Sequence, residues 1–424
     1  MRLSVLLLFV MIGLSATFCN RGNAIIIGNG DGNLSIYYSG EIKFNDDETA
    51  IQGMSPDGYV HYKRNERKVN AECNYHGQIS YELEDNGRKL DINSEEGKKF
   101  LAIAIRDMID AGFDARGRLE RLYRRGGDKA VLSEVDLLKN DNIKAMYLSF
   151  LLHSDSLNRD EARIIIRKAG TEISSDFEKS GLLKDVPLTF LKDSSTSKAW
   201  FEAERTLGSD FEKANALRYF MMQQLSDEQV NDVIYADESL GSDFEKANIL
   251  KDLINKTAFE DADVDRTLDA VNNIGSDFEK VNLYKLLIRK QKRSGENFDR
   301  MVDAASSLGG DFDKENLIRE LIGPGIPEDA NFEKLVGLVN HIGGEFERAG
   351  LIREILQKNV RKEQDWLSLI DCTAEIPSEF DKASLLEAIA EIMPKTDIVR
   401  NAYTRAAKTI NSEVVYGRVI KALD

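Results

Sequence analysis

The chain has 424 residues, 31% of them charged, with a formal net charge of −16 and only 6 prolines. That length allows two or three domains, and abundant charge with scarce proline suits helices. So acidic a chain repels phosphate backbones, which argues against nucleic acid as a partner, and 3 cysteines cannot form the disulfide framework of a small secreted domain.

Arg2 followed by the apolar run Leu3 to Leu14 reads as a secretory signal peptide. The run is too short for a membrane span, and no later stretch qualifies. Gly22-Asn23-Ala24 has the small-x-small form of a cleavage site, giving a signal segment over 1–24, while cleavage between Ala16 and Cys19 stays equally open. Cys19 raises a lipid anchor, against which Phe18 stands where a small residue is expected. The expected location is therefore exported: periplasmic or extracellular, or attached to the envelope.

Residues 25–33 hold Gly28-Asn29-Gly30-Asp31-Gly32-Asn33. A phosphate-cradling glycine loop must open a helix, but a strand pattern follows here, so the stretch is expected to be a linker. From residue 34 the period becomes two: Leu34, Ile36 and Tyr38, then Ile42 and Phe44, Val60 and Tyr62, Val69 to Tyr75, and Ile79 to Leu83. Asn86-Gly87 is a strong hairpin signal. These features predict a small antiparallel β meander, covered by a helix that starts at Asn93 or Ser94 and ends at Gly112. A second helix carries Arg116, Arg118, Arg121, Arg124 and Arg125 and ends at Gly126-Gly127, completing a module over 34–127. The arginines can pair with acids of the same module. They are also the one candidate site for an acidic partner segment or an anionic polymer, since the guanidinium fork suits carboxylates.

Residues 128–424 follow a repeat. Ser209-Asp210-Phe211-Glu212-Lys213 recurs with small changes, and its acids stand at 141, 176, 210, 243, 277, 311, 345, 379 and 413. The steps are 35, 34 and 33, and then 34 throughout. A period so constant means stacked supersecondary units. In each, Ser209 and Glu212 form a capping box, Asp210 adds charge at the helix start, and Phe211, Ala214, Leu217 and Met221 continue as an apolar stripe. A second stripe (Val230, Val233, Ile234, Leu240) ends at Gly241. This predicts a mainly α protein: a right-handed α-α solenoid of about eight helix pairs, of HEAT or TPR type, closed by a single terminal helix. Phe177, Phe211, Phe244, Phe278, Phe312, Phe346 and Phe380 are expected as core residues between units. Pro187 and the polar run Ser194 to Ser197 predict a longer link in the second unit.

The chain carries no zinc-binding His-Glu-x-x-His helix, Cys-x-x-Cys pair, Walker loop or Gly-x-Ser-x-Gly elbow. His61, His76, His153 and His341 are scattered, and Asp46-Asp47-Glu48 lacks the spaced oxygens of a calcium loop. No catalytic residue, metal or cofactor is expected. Gly40 to Thr49 followed by Met54 to Tyr59, then the arginine helix, Gly126-Gly127 and the Ser-Asp-Phe-Glu-Lys repeats, resembles uncharacterised exported bacterial proteins. It is also similar to the extracytoplasmic part of some membrane metallopeptidases of the BlaR/MecR type. Their peptidase half, with its zinc helix and membrane spans, has no counterpart in these residues, so the resemblance carries over no catalytic residue. The expected function is a non-enzymatic scaffold that binds another protein. The alternative is a sensor component of an envelope signalling system linked to such a metallopeptidase.

Overall fold

The computed structural model describes residues 23–29, 32–256, 261–291, 294–358, 360 and 362–423. Among these the protein is mainly helical, with a small antiparallel β meander ahead of 20 helices. The expected signal segment lies outside the described residues as far as position 22, Cys19 included, and its last two residues begin the first strand. The chain divides into two compact units, residues 1–151 and 152–424.

In the first unit the strands are β1 (Asn23–Asn29), β2 (Gly32–Ser39), β3 (Ile42–Phe44), β4 (Ile51–Met54), β5 (Tyr59–Arg64), β6 (Arg67–Cys73), β7 (Ile79–Asp85) and β8 (Arg88–Leu90). Six of them pair in the order β1-β2-β5-β6-β7-β8, and β3 and β4 form a separate hairpin between β2 and β5 in sequence. The expected linker over 25–33 is corrected here. Ile25 pairs with Ile36 and Ile27 with Leu34, so the stretch forms β1 and the start of β2. The β-branched run Ile25 to Ile27 favours a strand, and β1 ends at Asn29 while β2 begins at Gly32. Asn86 and Gly87 both take positive φ, 51° and 80°, as a two-residue turn between β7 and β8 requires.

Ile36, Val60, Tyr62, Val69, Ala71 and Leu83 are buried, placing one face of the meander in the core. Helix α1 (Glu95–Asp110) supplies Phe100, Leu101, Ala104, Ile105 and Met108 to that core. Asp107 ties helix to sheet by accepting from the Tyr62 hydroxyl at 2.6 Å and from Arg64 at 2.7 Å. Helix α2 (Ala115–Val135) is broken at Gly127, where φ is 60° and ψ −152°, at the glycine pair that marks its first half in the sequence. α3 (Asp141–Leu152) follows.

The second unit begins with α4 (Arg159–Glu172), α5 (Asp176–Asp185), α6 (Leu188–Leu191) and α7 (Ser194–Glu204). The polar run Ser194 to Ser197 is the first turn of α7 and no link: Asp193 caps it by accepting from Thr196 N, and Thr196 and Ser197 are buried. Then come α8 (Asp210–Phe220), α9 (Asp227–Glu238), α10 (Asp243–Lys256), α11 (Asp261–Asn272), α12 (Asp277–Lys290) and α13 (Gly295–Ser306). The last helices are α14 (Asp311–Ile322), α15 (Phe332–Asn340), α16 (Glu345–Leu356), α17 (Glu363–Ala374), α18 (Glu379–Ile392), α19 (Asp397–Ala407) and α20 (Glu413–Lys421).

Contacts run in two rows. α5, α8, α10, α12, α14, α16, α18 and α20 each pack on the next of that series, and α4, α7, α9, α11, α13, α15, α17 and α19 do the same. Each first-row helix starts at a copy of the recurring phrase, and the helix that follows it belongs to the second row, α6 being an extra turn between α5 and α7. The core between the rows is continuous: Ala214, Leu217, Phe220 and Met221 of one pair are followed by Ile249, Leu250, Leu253 and Ile254 of the next, all buried.

Candidate functional site

The recurring phrase has a structural task at nearly every position. Ser209 caps α8 by accepting from Glu212 N, and Ser175, Ser276 and Ser378 cap α5, α12 and α18 alike. The capping box that the sequence predicts is not closed within the phrase. The N–H of Ser209 goes instead to Asp176 of the preceding copy, at 2.8 Å. The first acid is therefore a clamp between units. Asp176 also accepts from Gly208 N, Asp210 from Gly241 N at 3.0 Å, Asp277 from Gly309 N at 2.8 Å, Asp311 from Gly343 N at 2.9 Å, and Glu379 from Asn411 N at 2.9 Å. Pro377 stands at the same place after Glu345 and, having no N–H, cannot make this bond. A Cβ on Gly343 would lie 3.0 Å from the Asp311 carboxylate that its N–H reaches, so the clamp leaves little room for a side chain.

The second acid and the base are also engaged in several copies. Glu245 receives Arg218 of the preceding first-row helix at 2.8 Å, and Asp381 lies 3.5 Å from Arg353. Lys179 donates to Thr206 Oγ1 at 2.8 Å and Lys382 to Thr409 Oγ1 at 2.9 Å, each just past the end of a second-row helix, where a cation is favoured.

The phenylalanine has no such task, and its expected core position is corrected. Phe177, Phe211, Phe244, Phe278, Phe312, Phe346 and Phe380 are 60 to 75% exposed. The buried apolar side chain beside each cap is another one. Two residues before each cap stand Leu207, Leu240, Ile274, Leu308, Ile342 and Ile376, all buried. The ring, second in its helix, points back toward the N-terminus and past the last turn of packing. Val414, at the same position in α20, is 84% exposed. The result is one exposed apolar residue on each of eight successive first-row helices.

The arginines of α2 scatter. Arg118 is buried and makes a fork-to-fork pair with Glu48, both bonds 2.6 Å, with Glu134 at 3.0 Å. Burial works against its charge, but the bonds and charges of these two carboxylates outweigh it and raise its pKa. Arg121 pairs with Asp114 at 2.8 Å and Arg125 donates to the carbonyl of Asp46 at 3.0 Å. Arg116 and Arg124 are exposed. A cleft of about 410 Å³ beside α2 is lined by Arg121, Arg125 and Lys43, but equally by Asp46, Glu48 and Asp114. Arg118 and Arg121 thus serve carboxylates of the same unit and Arg125 a backbone carbonyl, and the five arginines do not converge on one anion site.

Two groups escaped the sequence reading. Glu204 and Asp237 each stand five residues before a cap serine and are fully buried, in a column otherwise held by Val271, Ala305, Val339, Thr373 and Ala407. Neither carboxylate oxygen of Glu204 has a hydrogen-bond partner, nor has Oδ1 of Asp237. Burial pushes Glu204 up to about 7, with Lys213 and Arg205 opposing, and pushes Asp237 well above its ordinary value. When the repeats are aligned by their caps, both stand out as acids in a column otherwise free of charge.

Among the described residues no group of three or more His, Cys, Asp or Glu side chains gathers as a metal site, and no helix is long and apolar enough to cross a membrane. Cys73 and Cys372 are buried free thiols, and burial pushes Cys372 up to about 11. The chain matches no protein-family model and no curated protein.

Proposed function

We propose that the protein is an exported, non-enzymatic scaffold that binds another protein through the surface of an α-α solenoid. The reading takes the second unit as a right-handed, HEAT- or TPR-like stack, consistent with its two rows of neighbouring helices. One observation supports binding above all: seven phenylalanines recur in register and stand in water, while the other positions of the phrase hold the stack together. Exposed aromatic rings add nothing to a core, and contiguous apolar surface marks interaction sites.

The test is site-specific cross-linking in the native cell. A photoreactive phenylalanine analogue is placed at position 244, on the ladder, and in a control at position 235, an exposed tyrosine of α9 on the other row. A discrete adduct at 244 and none at 235 supports the scaffold. Equal labelling at both, or none, removes it.

A further inference from the structure

We propose that the ladder docks an extended, basic polypeptide and takes one lysine or arginine side chain per helix pair; this rests on the scaffold reading above. The argument starts from what surrounds each ring. In all seven copies the phenylalanine stands between two acids, as in Asp210-Phe211-Glu212 and Asp277-Phe278-Glu279. The first acid of these pairs is held by the backbone of the next unit, yet a carboxylate accepts several bonds and keeps its charge. Glu245 and Asp381 already face arginines, but among the described residues Glu212 and Glu279 form no ion pair, and Phe211 and Phe278 are open to solvent. An aromatic face bracketed by carboxylates suits one kind of side chain: an apolar stem or a guanidinium plane on the ring, with the charge toward the acids.

Charge decides between occupants. A second copy of this chain would bring another −16 against this one, so self-association through the ladder is opposed. From 140 to 424 the sequence holds 38 basic and 52 acidic residues, and the balance of −14 favours a cationic partner. A glycan is less well served, because phenylalanine offers no polar handle for sugar hydroxyls.

Spacing adds a register. Neighbouring helices pack at roughly 8–10 Å between axes. A polyproline II segment advances about 3.1 Å per residue with about three residues per turn, so every third side chain lies on one face and can meet successive rings. The partner is therefore an extended, polyproline II-like segment with lysine or arginine at every third position over several units.

Labelled peptides of equal length test this by fluorescence anisotropy on the full chain. One carries lysine at every third position among serine and glycine, a second has the same lysines in one block, and a third has leucine in place of the spaced lysines. The spaced-lysine peptide should bind about tenfold or more tighter than the block, through matched multivalency, and weaken as salt rises. Replacing Phe244, Phe278 and Phe312 together by alanine should weaken it by roughly ten- to a hundredfold, taking about 0.5–1 kcal/mol for each exposed ring. An unchanged circular dichroism spectrum and urea midpoint show that the variant is folded. Equal affinity for spaced and blocked lysines, affinity that survives loss of the three rings, or no binding of either lysine peptide overturns the proposal. Ring-dependent binding of the leucine peptide alone overturns the basic partner and leaves the scaffold standing. Ring-dependent binding of a chitin oligosaccharide alone, or ring-dependent dimerisation, overturns both.

Discussion

Phe244→Ala distinguishes a ring that holds the stack together from one that faces outward. Phe244 is 63% exposed, so about 37% of its surface is covered. A phenylalanine offers about 200 Å² to bury, which puts roughly 75 Å² in contact with the protein. At about 25 cal/mol per Å² the truncation costs under about 2 kcal/mol, and less because alanine keeps some of the contact. Phe220 in α8 is the comparison: it is fully buried, with ring centroids 4.9 Å from Trp200 and 4.6 Å from Phe201. Phe220→Ala should cost roughly 3–5 kcal/mol. Urea unfolding followed by circular dichroism ranks the two, and hydrogen exchange along the chain locates the damage, which in a stacked array spreads to adjoining pairs. If Phe244→Ala destabilises as much as Phe220→Ala, the ring is a structural element and the case for an outward-facing ladder fails.

Asp277→Ala removes the bond to Gly309 N and should cost about 1–3 kcal/mol, with faster exchange of the Gly309 amide. Glu345→Ala should cost markedly less, since Pro377 offers no N–H; equal losses would mean that the clamp is not the source of the effect. Arg118→Ala leaves Glu48 and Glu134 without their shared cation and should destabilise the first unit by roughly 3–5 kcal/mol, read from near-ultraviolet circular dichroism during unfolding; a loss within error would contradict the buried pairing. Glu204 is raised in the folded state from 4.5 to about 7, so folding favours its protonated form. Its contribution is complete below pH 4.5 and is lost as pH rises to about 7, by up to roughly 3 kcal/mol. Glu204→Gln should flatten stability across that window, and an unchanged pH slope would refute the assignment.

The sequence by itself determined what depends on neighbours within a turn or two. The cap at Ser209, reaching Glu212 three residues on, the alternation of Val60 and Tyr62, and the turn at Asn86-Gly87 are local, and each appears where its pattern places it. The 34-residue register is legible for the same reason, because every copy repeats one local solution. Tertiary structure decided what depends on residues far along the chain. Phe211 looks like the first member of a buried stripe, yet it stands exposed while Leu207, two residues before the cap, is the buried one. Asp176 reads as a charge at a helix start, yet its partners lie 32 and 33 residues away. Arg118 resembles its neighbours in a basic run, and only the fold sets it against Glu48, 70 residues upstream. Glu204 looks like one more surface acid, and its burial follows from the helices that close around it. A helical period gives the direction of a side chain about its own axis, whereas whether that direction ends in protein or in water is set by the packing of other helices.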